Sequence, residues 1–407
     1  MILSIAWKNI WRNKVRSSII ITAIVIGMTG GMFSSAFMKG MVNQRLEAAI
    51  SNESAHVQIH NPRFQLNKEL NDTIASLQEL IKDLDTCKTI SAYSVRLKIS
   101  AMAASANNSG YTMINGIDPS VEKKVTGIAK CIADTMGNWF SENRKNQIVV
   151  GEQLAKKLKI KLRSKIVLTF QDTAQNMVSA AFKVCGIYRT ENTSFDERNV
   201  YVNKSDLSQI MGYSFTPSHE IAIRLHSDES HKALIGSLSK NYKHLSIESW
   251  RQLMPDLGLT EGMTRQMLII VMTIILFALS FGIINTMMMA VLERTRELGM
   301  LMAIGMNKAK VFRMIMLESV LLTLTGGVIG VGISVLLIEY FNSNGLYLSA
   351  FSEGLRAIGY DPVVYPFLDV SFYIDLTLLI LITGILSSII PARRALKLKP
   401  VEAIRNI

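Results

Sequence analysis

Four long runs of apolar residues constrain this chain more than any other feature of its sequence. A helix needs about 20 residues to cross the roughly 30 Å hydrocarbon core of a bilayer. The runs at 18–38 and 266–292 contain no charged residue, and the runs at 314–341 and 370–392 carry only a few acids near their ends. Buried helices of soluble proteins rarely stay uncharged over such lengths. The sequence therefore predicts an α-helical membrane protein with four transmembrane helices, here called TM1 to TM4.

The first of these runs differs from a cleaved signal sequence. A signal core spans about 7 to 15 residues, whereas TM1 is longer and contains Gly27, Gly30 and Gly31. Small residues at such spacing allow two membrane helices to approach closely. We therefore expect TM1 to be retained and to pack through this face.

The basic residues are concentrated in three short segments beside the apolar runs. The segments 1–17, 293–313 and 393–407 together carry fourteen basic and three acidic residues, which accounts for eleven of the net charge of +12. Short segments rich in Lys and Arg stay in the cytoplasm. We therefore predict that both termini are cytoplasmic, that residues 39–265 are periplasmic, and that 342–371 is an external loop. The basic charge is explained by this topology and by contact with membrane lipid, so we expect no nucleic-acid partner.

The 227 residues of segment 39–265 differ in composition from the rest of the chain. Alternating apolar residues predict strands at 55–60, 165–170 and 182–188, and a helical period predicts a single amphipathic helix over 66–84. The stretch 171–181 joins two of these strands as a hairpin. A large extracytoplasmic α+β domain between TM1 and TM2 is therefore expected.

No catalytic or metal-binding pattern stands out in this domain. His56 and His60 fall on one side of a predicted strand, which favours a surface pair over a metal site. Cys185 lies within an apolar strand, as a buried small residue does. The cysteines are odd in number, so their disulfide state stays open; they are Cys87, Cys131 and Cys185. We expect no catalytic residue and no metal.

A short charged and apolar segment follows TM2. Residues 293–305 read E-R-T-R-E-L-G-M-L-M-A-I-G, which predicts a helix with charges in its first turn and a glycine at its end. Glu293 and Arg296, and likewise Arg294 and Glu297, are three residues apart and can pair on one helix face. An ordinary helical turn between two spans has the same pattern, so a functional interpretation needs further support.

This segment resembles the signature of a permease family whose members work with ABC ATPases, namely the lipoprotein-releasing, macrolide-exporter and cell-division permeases. The tail P-A-R-R-A at 391–395 and K-P-V-E-A-I-R at 399–405 is similar to the family's ending. The start A-W-K-N-I-W-R-N-K-V-R-S at 6–17 is similar to its amphipathic N-terminal helix. The layout of one span, a large outer domain and three further spans is also that of the family.

The resemblance implies that the segment 293–305 is a coupling helix seated in a groove of an ABC ATPase. Leu298, Met300, Leu301 and Ile304 would then fill the groove, with the charged residues at its rim. The implied ATPase-coupling residues are Glu293, Arg294, Arg296, Glu297, Leu298, Gly299, Met300, Leu301, Ala303, Ile304 and Gly305. The sequence contains no G-x-x-x-x-G-K-[ST] motif, so we expect this chain to bind no cofactor and the partner ATPase to hold ATP and magnesium. The other implied partners are a second permease copy, identical or a paralogue, and a hydrophobic cargo.

The family layout also suggests where cargo is held. Flexible Met and flat Phe side chains suit an acyl chain or a varied hydrophobic molecule. The candidate cargo-lining residues at the outer ends of TM1 and TM2 are Met32, Phe33, Phe37, Met38, Met267, Ile270 and Ile274.

Several functions remain open at this point. The outer-domain stretches at 115–119 and 149–155 resemble lipoprotein-releasing permeases of the bacterial inner membrane, and we favour lipoprotein release on that basis. The coupling sequence at 295–299 is closer to macrolide exporters, and the short hairpin argues against docking of a soluble carrier. A mechanotransmitter that activates an external hydrolase or a sensor kinase is a further alternative, and an adhesion scaffold leaves the coupling sequence unexplained.

Overall fold

The computed structural model describes residues 2–141, 144–172, 174–212 and 217–396. The family-like ending at 399–405 lies outside the described residues. The chain forms two compact units. We call one the helical unit (Met1–Val42, Gly262–Tyr347 and Val363–Ile407) and the other the inserted domain (Asn43–Glu261 and Leu348–Pro362).

Helices dominate the helical unit and are short in the inserted domain. In chain order they are α1 (Ile2–Arg12), α2 (Lys14–Ala48), α3 (Pro62–Asn67), α4 (Leu77–Thr86), α5 (Pro119–Val125), α6 (Glu152–Leu158), α7 (Thr193–Arg198), α8 (Lys204–Ile210), α9 (His231–Asn241), α10 (Trp250–Leu253), α11 (Pro255–Glu293), α12 (Thr295–Ala303), α13 (Lys308–Asn344), α14 (Ser352–Ala357) and α15 (Val370–Leu396). A π-helical turn, Ala49–Ser54, extends α2.

The strands lie almost entirely in the inserted domain. They are β1 (Val57–His60), β2 (Ile90–Ala104), β3 (Ser109–Ile117), β4 (Gln147–Gly151), β5 (Lys165–Gln171), β6 (Met177–Tyr188), β7 (Asn199–Asn203), β8 (Glu220–Leu225), β9 (Ser246–Ser249), β10 (Leu346–Tyr347) and β11 (Val363–Val364).

Four helices of the described chain are long and apolar enough to cross a membrane, which confirms the predicted fold class. They are Lys14–Ser54, Pro255–Glu293, Lys308–Asn344 and Val370–Leu396. The first three extend well beyond the apolar runs at 18–38, 266–292 and 314–341, because the polar residues that flank those runs also favour helix. The expected external loop at 342–371 contains the short helix α14 and is closed at its base by the pairing of β10 with β11.

Glycines on two spans allow the helices of the helical unit to pack closely. A Cβ atom at Gly326 would lie 2.9 Å from the Cβ of Ile24, and one at Gly330 would lie 2.8 Å from the Cβ of Met28. Gly27 and Gly31 of TM1 meet side chains of α11 in the same way, as the sequence predicts, whereas Gly30 has open space around it. Larger residues at Gly326 or Gly330 would push α2 and α13 apart.

One nine-stranded sheet builds the inserted domain, in the order β3-β7-β4-β6-β5-β2-β8-β1-β9. The long strand β2 serves two parts of it. Its first half pairs with β8, and its second half pairs with β3 and β5, which closes a ring of six strands. Separate hydrophobic cores lie in the two parts. The predicted α+β domain is therefore confirmed.

The prediction of a single helix over 66–84 is wrong. The structure instead has α3, an irregular stretch and α4. Lys68 ends α3 with φ 56° and Ser76 precedes α4 with φ 53°, both in the left-handed region. Between them the backbone N–H of Ile74 donates to the carbonyl of Ser218 at 2.8 Å, so a tertiary contact replaces helical hydrogen bonding.

The structure contains the hairpin predicted at 171–181. Strands β5 and β6 pair up to Gln171 opposite Met177, which leaves only residues 172–176 at the tip. Asp172 accepts hydrogen bonds from the backbone N–H groups of Ala174 and Asn176, both at 2.8 Å, and these bonds hold the turn. The connection between the two strands is short, as the sequence predicts.

Candidate functional site

The helix α12 begins directly after an interruption of the helical conformation at Arg294. The helix α11 ends at Glu293, and Arg294 leaves the helical conformation with φ −103° and ψ 18°. The hydroxyl of Thr295 donates to the carbonyl of Leu292 at 2.7 Å, which covers the end of α11. After α12, Gly305 adopts φ 102°, a conformation that glycine reaches without strain. The chain then turns into α13.

Six charged side chains of the helical unit form one network around this break, which we call the charged junction. Arg294 lies 3.0 Å from Glu297 and 3.3 Å from Glu318. Arg16 lies 3.2 Å from Glu293 and 4.0 Å from Glu318. Arg12 lies 2.5 Å from Glu297. The network joins α1, α2, α11, α12 and α13 through three arginines and three carboxylates, so its formal charge is zero.

Burial differs across the charged junction. Glu318 is only 3% exposed, whereas Arg12 and Glu297 are open to solvent. The hydrogen bond from Arg12, with a further one from Arg294, lowers the pKa of Glu297. A buried carboxylate is costly unless it is paired. Arg294 and Arg16 therefore allow Glu318 to lie inside the protein, and the exposed pairs mainly fix orientation.

The N-terminal helix is held against the same region. Ala6 and Ile10 are buried, and α1 packs on α13. The hydroxyl of Ser17 donates to the carbonyl of Ile10 at 2.5 Å across the junction of α1 and α2. Trp7 and Trp11 lie edge to face with ring centroids 6.0 Å apart, and both are exposed. Exposed Trp beside basic residues is typical of a helix at a membrane interface.

The structure corrects the expected role of Leu298. This side chain is 2% exposed and belongs to the hydrophobic core of its own helical unit, so it does not fill a partner's groove. Gly299 is also buried, and Leu301 packs partly against the same core. Met300 and Ile304, by contrast, are 53% and 81% exposed. The large apolar side chains that α12 and its C-cap expose most to a partner are therefore Met300 and Ile304.

The charged residues of the predicted helix are also distributed differently from expectation. Arg294 and Glu297 form the predicted pair, but Glu293 contacts Arg16. Arg296 and Ala303 are exposed. The rim expected around a groove is thus partly occupied by contacts within this chain.

The expected cargo-lining residues do not form one surface. Met32 is fully buried, and Phe33 packs edge to face on Phe341 with ring centroids 5.4 Å apart. Phe37 and Met38 are half-buried. On α11 the side chains predicted to line a chamber are exposed and continue as a stripe along one face, Leu259, Met263, Met267, Ile270, Ile274, Phe277 and Phe281. The prediction was wrong for Met32, because this side chain is buried in the hydrophobic core of the helical unit.

Sequence reasoning missed Arg12, Arg16 and Glu318 as members of the site. The basic residues were explained by topology alone. Glu318 offered a signal, because an acid within an apolar span is expensive and usually has a partner. Its partner Arg16 is about 300 positions away in the chain, so local pattern could not identify it.

The described residues form neither a metal cluster nor an activated thiol. Within residues 2–141, 144–172, 174–212 and 217–396 there is no group of three or more His, Cys, Asp and Glu side chains placed to hold a metal ion. The cysteines are free thiols. Burial raises the pKa of Cys131 to about 12 and that of Cys185 to about 11, so neither is an activated nucleophile.

The helical unit contributes four helices that are long and apolar enough to cross a membrane, and a large domain is inserted after the first. The family model for a MacB-like periplasmic core domain matches residues 17–240, and that for an FtsX-like permease C-terminal region matches residues 269–400. The chain belongs to this family of multi-pass membrane permeases.

Curated relatives extend over nearly the whole chain. A protein named macrolide export ATP-binding/permease protein MacB from Photorhabdus laumondii is 23% identical over 99% of this chain, and its namesake from Escherichia coli K12 is 24% identical over 99%. The chain spans 60% of the length of each.

Two solved structures are similar to about half of the chain. The periplasmic region of MacB from Actinobacillus actinomycetemcomitans has a TM-score of 0.36 at 14% identity, covering 54% of this chain and 95% of that one. The extracellular domain of the noncanonic ABC-type transporter YknZ from Gram-positive bacteria has a TM-score of 0.34 at 16% identity, covering 48% and 99%.

Proposed function

We propose that this chain is the membrane subunit of an ATP-driven complex, and that it couples ATP hydrolysis on ABC ATPase subunits to movement of its inserted domain. The main support is the charged junction, in which Glu297 of α12 pairs with Arg12 of α1, and Arg294, just before α12, pairs with Glu318 of α13. The helix α12 is held on one side by its own chain and leaves Met300 and Ile304 exposed. It can therefore move as a rigid element together with a partner that binds these two side chains.

In this proposal the charged junction and both termini face the cytoplasm of a bacterial inner membrane. The inserted domain is then periplasmic, which agrees with the distribution of basic residues. ATP and magnesium bind to the ATPase partner. Residues 293–305 form its contact site, and Met300 and Ile304 enter its groove.

We further propose that two permease copies act together, identical or paralogous. Four spans are too few to enclose a transport route alone. The exposed apolar stripe of α11, from Leu259 to Phe281, supplies a continuous surface for a second copy, a lipid or a hydrophobic cargo. Its Met and Phe side chains suit flexible apolar molecules better than polar ones.

For the cargo, we propose efflux of hydrophobic molecules as in the macrolide-export relatives, with lipoprotein release as the second candidate. The relatives' names, and a similarity that extends over 99% of this chain, favour the first. The apolar stripe of α11 also suits the acyl chains of a lipoprotein. The compact hairpin tip at 172–176 offers little surface for a soluble carrier, which weighs against a release pathway that depends on carrier docking at this hairpin.

The test is to purify the tagged full chain gently from its native membrane, identify the co-purifying proteins by mass spectrometry, and reconstitute the complex in liposomes. We expect an ABC ATPase and ATP-dependent movement of a hydrophobic cargo. Release of lipoproteins instead would select the second candidate. ATP hydrolysis without any cargo movement, together with a bound hydrolase or sensor kinase, would favour mechanotransmission. Absence of any ATPase would contradict the proposed function.

A further inference from the structure

A cavity of about 470 Å³ lies in the inserted domain and shares no residue with the charged junction. It is bounded by α6, by the turn that follows α6, by the last residues of β6 and by the 3₁₀ turn Asp134–Met136. Its apolar lining comes from Met136, Ala155, Ile160, Leu162 and Ile187. Ligand sites in proteins are typically of this volume and mostly apolar, with a few placed polar groups.

Backbone hydrogen bonds hold the walls of this cavity. The N–H of Ile160 donates to the carbonyl of Ala155 at 3.0 Å, which folds the chain back at the end of α6. On the opposite wall the N–H of Asn138 donates to the carbonyl of Cys185 at 3.1 Å, and Gly137 forms a bridge with Gly186. These bonds anchor the turn that carries Met136 beside β6. The cavity is therefore part of the fold.

Lysines surround the apolar lining. Lys156 lies 3.2 Å from Glu152, and Glu152 also contacts Arg189 at 3.2 Å. Lys159 and Lys161 have no ion pair with any described residue. The charged residues that line the cavity are Glu152, Lys156, Lys159 and Lys161, which together carry a formal charge of +2. An anionic group at the edge of the cavity would be attracted by this charge, and a cation would be repelled.

We propose that this cavity binds an amphiphile with an apolar chain and a single anionic head group, such as a fatty acid or a lysophospholipid. The apolar lining takes the chain, and Lys159 and Lys161 contact the head group. A purely hydrophilic anion would not cover the apolar lining, and an uncharged chain would not pair with the lysines. This site is independent of the proposed function, since ATPase coupling requires no ligand on the inserted domain.

The test uses the full chain in nanodiscs of phosphatidylcholine and a hexadecanoate that carries a photoreactive diazirine. After irradiation, mass spectrometry of peptides maps the modified residues of the inserted domain. We expect modification within 134–137 and 155–162. Unlabelled hexadecanoate should displace the probe, whereas hexadecylamine and hexadecanol should not. If palmitoyl lysophosphatidate displaces the probe at a lower concentration than hexadecanoate does, the preferred head group is a phosphate. If hexadecanoate displaces it at the lower concentration, the preferred head group is a carboxylate.

Two sets of variants separate head-group and chain recognition. The double variant Lys159→Glu/Lys161→Glu should reduce labelling of these peptides roughly tenfold, while Lys240→Glu/Lys243→Glu, an equal charge change on exposed residues outside the cavity, should not. Met136→Gln should reduce labelling several-fold, with the exposed Met177→Gln as its control. Labelling that is unchanged in the lysine double variant, or displacement by hexadecylamine as effective as by hexadecanoate, would overturn the proposal.

Discussion

The guanidinium of Arg294 lies 3.3 Å from the carboxylate of Glu318 and 3.0 Å from that of Glu297. One side chain at a helix break therefore connects α12 to the third span. Because Glu318 is buried, this contact fixes where α12 begins and how it is oriented. The coupling role proposed for α12 depends on that rigidity.

Replacing Arg294 tests the cost of breaking this pair. Arg294→Met leaves Glu318 with Arg16 at 4.0 Å as its remaining ion-pair partner among the described residues, and removing one partner of a buried pair costs about 3 kcal/mol. We expect Tm of the detergent-purified chain to fall by several degrees. Arg313→Met changes an exposed arginine of the same region and should leave Tm almost unchanged. Recovery of Tm in Arg294→Met/Glu318→Leu would confirm that the unpaired carboxylate is the cause; no recovery would refute it.

A charge exchange between Arg12 and Glu297 tests the exposed part of the charged junction. Exposed ion pairs are worth under about 1 kcal/mol, so stability should barely change. If orientation of α12 matters, however, Arg12→Glu and Glu297→Arg should each reduce the ATPase activity of the reconstituted complex. The double exchange should restore it in part, because Glu297→Arg also breaks the pair with Arg294. Lys8→Glu, an exposed reversal on the same helix, serves as the control. Equal activity in the wild type, the two single variants and the double exchange would show that the pair has no role in coupling.

A buried network in the inserted domain predicts a large stability effect. Arg96 donates to Glu122 at 2.6 Å and to Glu220 at 2.7 Å. Burial alone would raise the pKa of Glu220, but Lys98, His60 and Arg96 together hold it well below its usual range. Arg96→Met should destabilise the protein by about 3–5 kcal/mol. Lys98→Met should cost less, because Lys98 is partly exposed. Thermal unfolding followed by circular dichroism would compare the two, and a reversed order would contradict this account.

Asp196 predicts a pH dependence of stability. Burial raises its pKa to about 7 in the folded protein, although the hydroxyl of Thr190 donates to it at 2.7 Å. The unfolded chain loses this proton near pH 4, so between pH 4 and 7 the folded state binds more protons than the unfolded one, and stability falls as pH rises. Asp196→Asn should remove this contribution. The Tm of Asp196→Asn minus the Tm of the wild type should increase from pH 5 to pH 7.5, because only the wild type loses stability as the pH rises. A constant difference would contradict the raised pKa.

Much of the architecture could be predicted from the sequence because its causes are local. Apolar length identifies a membrane span, and strand alternation around 171–181 identifies a hairpin. The burial of Leu298 could not be predicted in this way. A helical period shows that Leu298 belongs to an apolar face, but it does not show whether that face meets its own chain or a partner. Likewise, the contact of Ile74 with Ser218 interrupts a segment whose periodicity favours one helix.

The charged junction could not be predicted because its members come from distant parts of the chain. Arg12 and Arg16 have the composition of a topology signal, and nothing in the local sequence separates this role from ion pairing. Glu318 alone carries a local signal, an acid within an apolar run. The cavity beside α6 is a similar case, since Met136 and Ile187 line one cavity only after β6 is placed in the sheet.

The most direct test of the central claim is the effect of Met300→Asp and Ile304→Asp on the ATPase that co-purifies with the chain. Both side chains are exposed, so the variants should fold and reach the membrane, as should the control Leu66→Asp on the inserted domain. Measured by pull-down and by ATP hydrolysis in nanodiscs, each α12 variant is expected to lose most of the bound ATPase and its cargo-dependent activity, while Leu66→Asp retains both. Normal ATPase binding and activity in Met300→Asp and Ile304→Asp would contradict the assignment of α12 as the coupling helix.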